Sequence, residues 1–190
     1  MKVGLYFGSF NPIHTGHLII ASHVLNYTDL KKVWFVVSPQ NPLKVSHSLL
    51  NEYHRLHLVR LAIEDSTVFS ASDVEFKLPR PSYTMDTLTY LKEKYPAHKF
   101  SIIMGSDSYA NINKWKNYEK LLANYQVIVY IRPGFQIKSP TSNTILLEET
   151  PTINISSTFI RDLIKNGKSI KYLVPDKVAE EIAAAGYYKK

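Results

Sequence analysis

The sequence predicts an α/β protein built on a doubly wound parallel sheet. Segments that read as strands alternate with segments that read as helices along the 190 residues. The strand segments are apolar without alternation, as expected of strands covered on both faces. An early stretch, Gly8-Ser9-Phe10-Asn11-Pro12-Ile13-His14-Thr15-Gly16-His17, joins the first strand to the first helix through a small-residue loop. A strand that ends in such a loop and opens a helix presents backbone N–H groups to an anion.

The first strand is the run containing Val3, Leu5, Tyr6 and Phe7, and Leu18 to Leu25 is the helix after the loop. His14 and His17, spaced i, i+3 at its start, share one face and aim at whatever the loop holds. The plain alternative is a tight turn with two solvated histidines. Val33 to Ser38 is a second buried strand. Pro39 to Lys44, with prolines at 39 and 42, is a loop at that strand's C-terminal end, where open α/β sheets hold their ligands. Lys44 is a candidate phosphate contact there, against the reading of a solvated loop lysine. Asn51 caps a helix over 51–63 with Leu58, Leu61 and Ala62 on its apolar face and His54 and His57 on its surface. Val68 to Phe76 is a shorter, mixed strand region.

Leu78 to Tyr83 is a loop, and Thr84 is read as the N-cap of the next helix. The free N–H groups of such a first turn can receive an anion such as a carboxylate, although a simple capped helix has the same pattern. Lys99 to Gly105 is a buried strand that ends in Ser106-Asp107. Asp107 is placed there to accept from a ribose hydroxyl or to cap the following turn. Trp115, flanked by polar residues, is not deep core and can stack on a flat ring. Tyr125 to Arg132 is a strand stopped by Pro133-Gly134, residues 135–143 are loop, and Thr144 to Glu148 is a last short strand. Ile155 to Ile164 opens a helix closed near Gly167, with Phe159, Ile160, Leu163 and Ile164 as its packed face. Thr158 and Arg161 share another face, and a hydroxyl-rich helix start beside a guanidinium suits a polyphosphate. A capped helix with a surface arginine is the alternative. A final helix runs from Pro175 to about Gly186.

The length suits one domain, residues 1–190, in which 156–190 form a C-terminal helical part. A formal net charge of +7 favours polyanionic partners. Cysteine is absent, which removes thiolate metal sites and cysteine nucleophiles. No segment is apolar enough to span a bilayer and the N-terminus has no secretory pattern, so cytoplasm is the default compartment. No G-x-x-x-x-G-K-[ST] and no G-x-G-x-x-G after a strand occurs. His-Thr-Gly-His has the wrong spacing for a helical zinc site, so no protein-ligated metal is expected.

Gly8 to His17 resembles the signature G-[ST]-F-[DN]-P-x-H-x-G-H of the nucleotidyltransferase superfamily, and Ile155-Ser156-Ser157-Thr158-Phe159-Ile160-Arg161 resembles its second signature, I-S-S-T-x-I-R. The pair brackets nearly the whole chain in the family's order. Within the superfamily the bacterial nicotinate-nucleotide adenylyltransferases are the nearest match. Pro81-Ser82-Tyr83-Thr84 with Asp86-Thr87-Leu88, Gly105-Ser106-Asp107 followed by Trp115, and Tyr130 to Gly134 support it. Two positions depart from the family: Phe7 stands where glycine is common and Asn11 where aspartate is usual.

The resemblance implies a Rossmann-like fold and transfer of an adenylyl group from ATP to nicotinate mononucleotide, giving nicotinate adenine dinucleotide and pyrophosphate. Catalysis would fall to His14, His17 and Arg161. ATP would meet Gly8, Ser9, Phe10, Gly105, Asp107, Ile155, Ser156 and Thr158 besides those three. The mononucleotide would meet Ser9, Lys44, Tyr83, Thr84 and Trp115. Mg²⁺ would come with the ATP phosphates. The implied partners are these small molecules, with no nucleic acid and no membrane, and a homo-oligomer is left open. The alternatives are the same transfer onto nicotinamide mononucleotide, transfer onto phosphopantetheine, and a non-catalytic nucleotide- or RNA-binding protein.

Overall fold

In the computed structural model, which describes residues 1–39, 49–137, 139–151 and 153–189, six parallel strands form one sheet in the order β3-β2-β1-β4-β5-β6. The strands are β1 (Lys2–Gly8), β2 (Lys32–Val37), β3 (Phe69–Ser72), β4 (Lys99–Gly105), β5 (Gln126–Tyr130) and β6 (Thr144–Leu147). The helices are α1 (Thr15–Tyr27), α2 (Glu52–Ala62), α3 (Thr84–Lys94), the short α4 (Ser106–Tyr109), α5 (Tyr118–Asn124), α6 (Ser157–Lys165) and α7 (Asp176–Ala185). The chain starts in the middle of the sheet, winds outward to β3, then returns to β4 beside β1 and winds the other way. The switch point between β1 and β4 is where such a sheet opens a crevice at its C-terminal edge.

The side-chain period of two divides each strand between two apolar layers. Tyr6, Phe35, Ile103 and Ile128 face one layer, where Val24 of α1, Leu56 and Val59 of α2, Ile160 of α6 and Val178 and Ile182 of α7 cover them. Val3, Leu5, Ile102, Val127 and Val129 face the other, under Leu88 and Leu91 of α3, Tyr109 of α4 and Leu121 of α5. Burial of one such leucine or isoleucine contributes about 1.5–3 kcal/mol. α6 and α7 therefore share the apolar layer of α1 and α2. Among the described residues no helix is long and apolar enough to cross a membrane.

Four local expectations need correction. Val68 to Phe76 is only partly strand: β3 is followed by a 3₁₀ turn over Val74–Lys77. The N-cap of α3 is Tyr83, and Thr84 is its first helical residue. The last strand stops at Leu147, one residue earlier than expected. Phe159 is 46% exposed rather than packed, because α6 turns Ile160 and Ile164 toward the core. Lys44 lies outside the described residues.

Candidate active site

The loop between β1 and α1 is held by what it buries. Phe10, at a φ of 44°, folds its ring inward against Tyr6, Phe35 and His17, with centroids 5.8, 5.5 and 5.1 Å apart. Phe10 thus serves the site by anchoring the loop in the core. α1 then opens with His14 as N-cap. Nδ1 of His17 reaches back to accept the His14 backbone N–H at 3.2 Å. That bond satisfies one donor which a helix start leaves over, and it sets the proton of the neutral ring on Nε2. The two imidazoles stack with centroids 3.7 Å apart. Gly16 lies against the His14 ring: a Cβ there would stand 3.1 Å from its Nδ1 and 3.2 Å from its Cε1, so a side chain would crowd that imidazole.

The electrostatics make both rings neutral at pH 7. Burial lowers the His14 pKa to about 4, helped by the Arg132 guanidinium. Burial also holds His17 well below the usual histidine range, with His14 and Arg132 adding to it. His14 Nδ1 is buried without a hydrogen-bond partner among the described residues. A cleft opens over the pair, lined by His14, His17, Tyr130, Arg132, Thr150 and Ile155.

The second motif docks onto the first through its backbone carbonyls. Ser156 caps α6 by accepting the Phe159 N–H at 3.1 Å. Ser157 Oγ donates to Pro12 O at 2.9 Å. Arg161 donates to Asn11 O at 2.8 Å and to Thr158 Oγ1 at 3.2 Å. Helix start, hydroxyls and guanidinium are thereby fixed beside the loop that carries the histidines. From beneath, Arg55 of α2 closes the same arrangement. Its side chain is fully buried and donates to Ser9 O at 2.5 Å, Ser38 O at 2.8 Å, Pro39 O at 2.9 Å and Leu50 O at 2.7 Å. One guanidinium thus ties the ends of β1 and β2 to the start of α2.

On the other side of the switch point, Gly105 ends β4 and Asp107 lies in the first turn of α4. The Asp107 carboxylate accepts from Arg132 at 2.9 Å, and Arg132 in turn reaches the cleft over the histidines. Tyr83 and Thr84 stand at the N-terminus of α3, where no side chain caps the helix. Lys116, next to Trp115, lies 4.4 Å from the Tyr83 ring centroid and 3.3 Å from Asp86 Oδ2, which draws the Trp115 segment to that helix start. Trp115 itself is half-buried on the second apolar layer. Tyr83, Thr84 and Trp115 do not line the histidine cleft; they form a second zone at the same edge of the sheet.

The chain is similar to known proteins over nearly its whole length. The cytidylyltransferase-like family model matches residues 5–163. A protein of Flavobacterium psychrophilum named "Probable nicotinate-nucleotide adenylyltransferase" is 51% identical over 193 residues, covering 100% of both chains. The chain belongs to this family. One of its members from Bacteroides thetaiotaomicron, with the same name, is 44% identical over 96% of this chain and 91% of its own. The solved structure of Plasmodium falciparum nicotinic acid mononucleotide adenylyltransferase complexed with NaAD superposes with a TM-score of 0.82. It is 22% identical over 98% of this chain and 97% of that one, a likeness of fold.

In this nicotinate-nucleotide adenylyltransferase family member, sequence reasoning missed Arg55, Ser157 and Arg132 as site residues. Arg132 stood inside a segment that supported the resemblance, but nothing in a sequence says that it pairs with Asp107. Arg55 is the polar residue of an otherwise apolar helix face (Leu56, Leu58, Val59), a pattern that marks a buried charge only once its acceptors are known. The donor set also bears on Mg²⁺. Among the described residues no three His, Asp or Glu groups converge, and Asp107 is engaged by Arg132. That fits a Mg²⁺ carried by phosphate oxygens rather than by a protein cage.

Proposed function

We propose that the protein transfers the adenylyl group of ATP to nicotinate mononucleotide. A phosphate oxygen of the mononucleotide attacks the α-phosphorus of ATP, the bond from that phosphorus to the bridging oxygen of the β-phosphate breaks, and pyrophosphate leaves with the electron pair. The attacking phosphate is ionised at neutral pH, so no general base is needed. The chain's work is to align two anions and to meet charge developing on the α-phosphate and the leaving group.

The observation that carries this reading is the docking of the α6 start onto the His14–His17 loop. It fixes the α6 start and the Arg161 guanidinium against the loop whose two imidazoles line the cleft, which reaches that segment at Ile155. His17, with its proton on Nε2, donates to a phosphate oxygen without first being protonated. Gly8, Ser9 and Phe10 shape the loop backbone around the phosphates, with His14, Ser156, Thr158 and Arg161 as further contacts. Gly105, Asp107 and Ile155 flank the adenosine. The Thr84 N–H at the start of α3 receives the nicotinate carboxylate, with Tyr83 and Trp115 beside the ring and Lys44 toward the mononucleotide phosphate. Mg²⁺ arriving with ATP would supply charge neutralisation at the phosphates. ATP and mononucleotides are small cytoplasmic metabolites, which assigns the enzyme to that compartment.

Label transfer tests the bond that breaks. With nicotinate mononucleotide and Mg²⁺, label on the α-phosphate of ATP is expected in the dinucleotide and label on the γ-phosphate in pyrophosphate. His17→Ala is expected to lower kcat by about 10²–10³, the scale of one lost charge-stabilising donor. Label from the γ-phosphate in the mononucleotide product would mean a kinase, and a loss of less than about threefold in His17→Ala would remove that residue from the mechanism.

A further inference from the structure

The last turn of the chain reaches into the back of the first motif. α7 ends at Ala185, and Gly186 takes a φ of 67°. The Gly186 and Tyr187 N–H groups both return to Ile182 O, the latter at 3.1 Å, so the chain reverses over the end of its own helix. The reversal sends two tyrosines to different places. Tyr187 bonds His54 Nδ1 on α2 through its hydroxyl at 2.8 Å. Tyr188 donates its hydroxyl to Oδ1 of Asn11 at 2.9 Å.

Three features single out the second contact. Tyr188 sits at a φ of 64°, a left-handed conformation that a tyrosine keeps only when its surroundings hold it. Asn11 is 3% exposed and stands inside the loop that leads to His14. Its Oδ1 also accepts the Leu50 N–H at 3.1 Å, and its backbone oxygen accepts from Arg161 at 2.8 Å. One residue of the loop therefore joins the start of α2, the docked arginine of α6 and the C-terminal turn. Burial pushes the Tyr188 hydroxyl up, while Arg55 and Arg161 pull it the other way; it remains a neutral donor at physiological pH.

We propose that Tyr188 is a positioning residue for the ATP side of the reaction: its hydroxyl, through Asn11 Oδ1, fixes the loop that presents His14 and His17. The proposal rests on the function given above. The neighbouring Tyr187 anchors the same turn to α2, its hydroxyl bonded to His54 rather than to Asn11, which separates loop positioning from simple anchoring of the C-terminus.

The test measures KM for ATP, KM for nicotinate mononucleotide, kcat and the ATP-dependent rise in Tm for the wild type, Tyr188→Phe, Tyr187→Phe and Asn11→Ala with and without Tyr188→Phe. Tyr188→Phe is expected to raise KM for ATP and lower kcat/KM for ATP by about 3- to 10-fold, the worth of one hydrogen bond. KM for the mononucleotide stays within about twofold under the same logic of a loop-specific effect. Tyr187→Phe keeps wild-type kinetics, and Tyr188→Phe adds nothing in the Asn11→Ala background. Unchanged ATP parameters in Tyr188→Phe, an equal loss in Tyr187→Phe, or full additivity with Asn11→Ala would overturn it. If the wild type failed to turn over nicotinate mononucleotide, the proposed function would fall alone, because the ATP-dependent rise in Tm still decides whether Tyr188 shapes the ATP site.

Discussion

His14 and His17 illustrate how much of a proposed catalytic residue is set by its neighbours. Their spacing was legible as two side chains on one face of a helix start. Their neutrality was not, because it follows from burial and from Arg132, which comes from the far side of the switch point. That neutrality has a consequence for stability. An unfolded histidine titrates near 6.5, whereas His14 in the folded protein titrates at about 4. Between these values the unfolded chain binds more protons, so stability is complete above about pH 6.5 and is lost as pH falls toward 4. For His14 the loss amounts to about 3 kcal/mol. Urea unfolding of the wild type and His14→Asn at pH 7.5 and 4.5 checks it, since the variant loses less on acidification. An equal loss in both proteins would mean that His14 titrates normally.

Single elements were largely readable and their joints were not. The alternation of apolar runs and helical patterns located all six strands, and Asn51 does cap its helix as the pattern suggests. The α3 cap fell one residue early, on Tyr83, because the loop before it ends extended at that tyrosine rather than at the threonine that propensity favours. Phe159 looked like core because it is apolar and adjacent to Ile160, yet the helix turns it outward. What holds the elements together at the site is backbone carbonyl chemistry, and that leaves no trace in sequence. The four carbonyls gathered by Arg55 are the main case. Arg55→Met leaves them buried without donors and is expected to destabilise the fold by about 3–5 kcal/mol, whereas Arg55→Lys, with a point charge in place of the fork, costs about 2 kcal/mol. Denaturant midpoints decide this. Equal stability in both variants and the wild type would mean that water or neighbouring donors replace the guanidinium.

The whole molecule follows from the winding of one sheet. Two runs of strands leave the centre in opposite directions and their C-terminal ends part between β1 and β4. The histidine loop, the α4 start and the α3 start all lie along that edge, so one crevice can align an ATP with a second phosphate-bearing substrate. The fold, the two motifs and their order were readable from the chain. The division of the edge into a histidine cleft and a separate zone at Tyr83, Thr84 and Trp115 needed the structure, because it depends on Lys116 bridging to α3 and on Arg132 turning toward the histidines. In the proposed function the acid–amide choice belongs to that second zone. An uncapped helix start favours a carboxylate, through its free N–H groups and its positive dipole end. The Asn11 departure lies in the other zone, behind the histidine loop, where Asn11 meets Leu50, Tyr188 and Arg161 rather than the α3 start.

The decisive measurement is kcat/KM for pyrophosphate release with ATP and Mg²⁺, taken in parallel with nicotinate mononucleotide and nicotinamide mononucleotide. A carboxylate read by the α3 N-terminus predicts a preference for the acid of at least about tenfold, the scale of one charge-assisted hydrogen bond lost with the amide. Equal rates with the two, or faster release with the amide, would contradict the assignment of Tyr83 and Thr84 as the reader of the substrate's carboxylate.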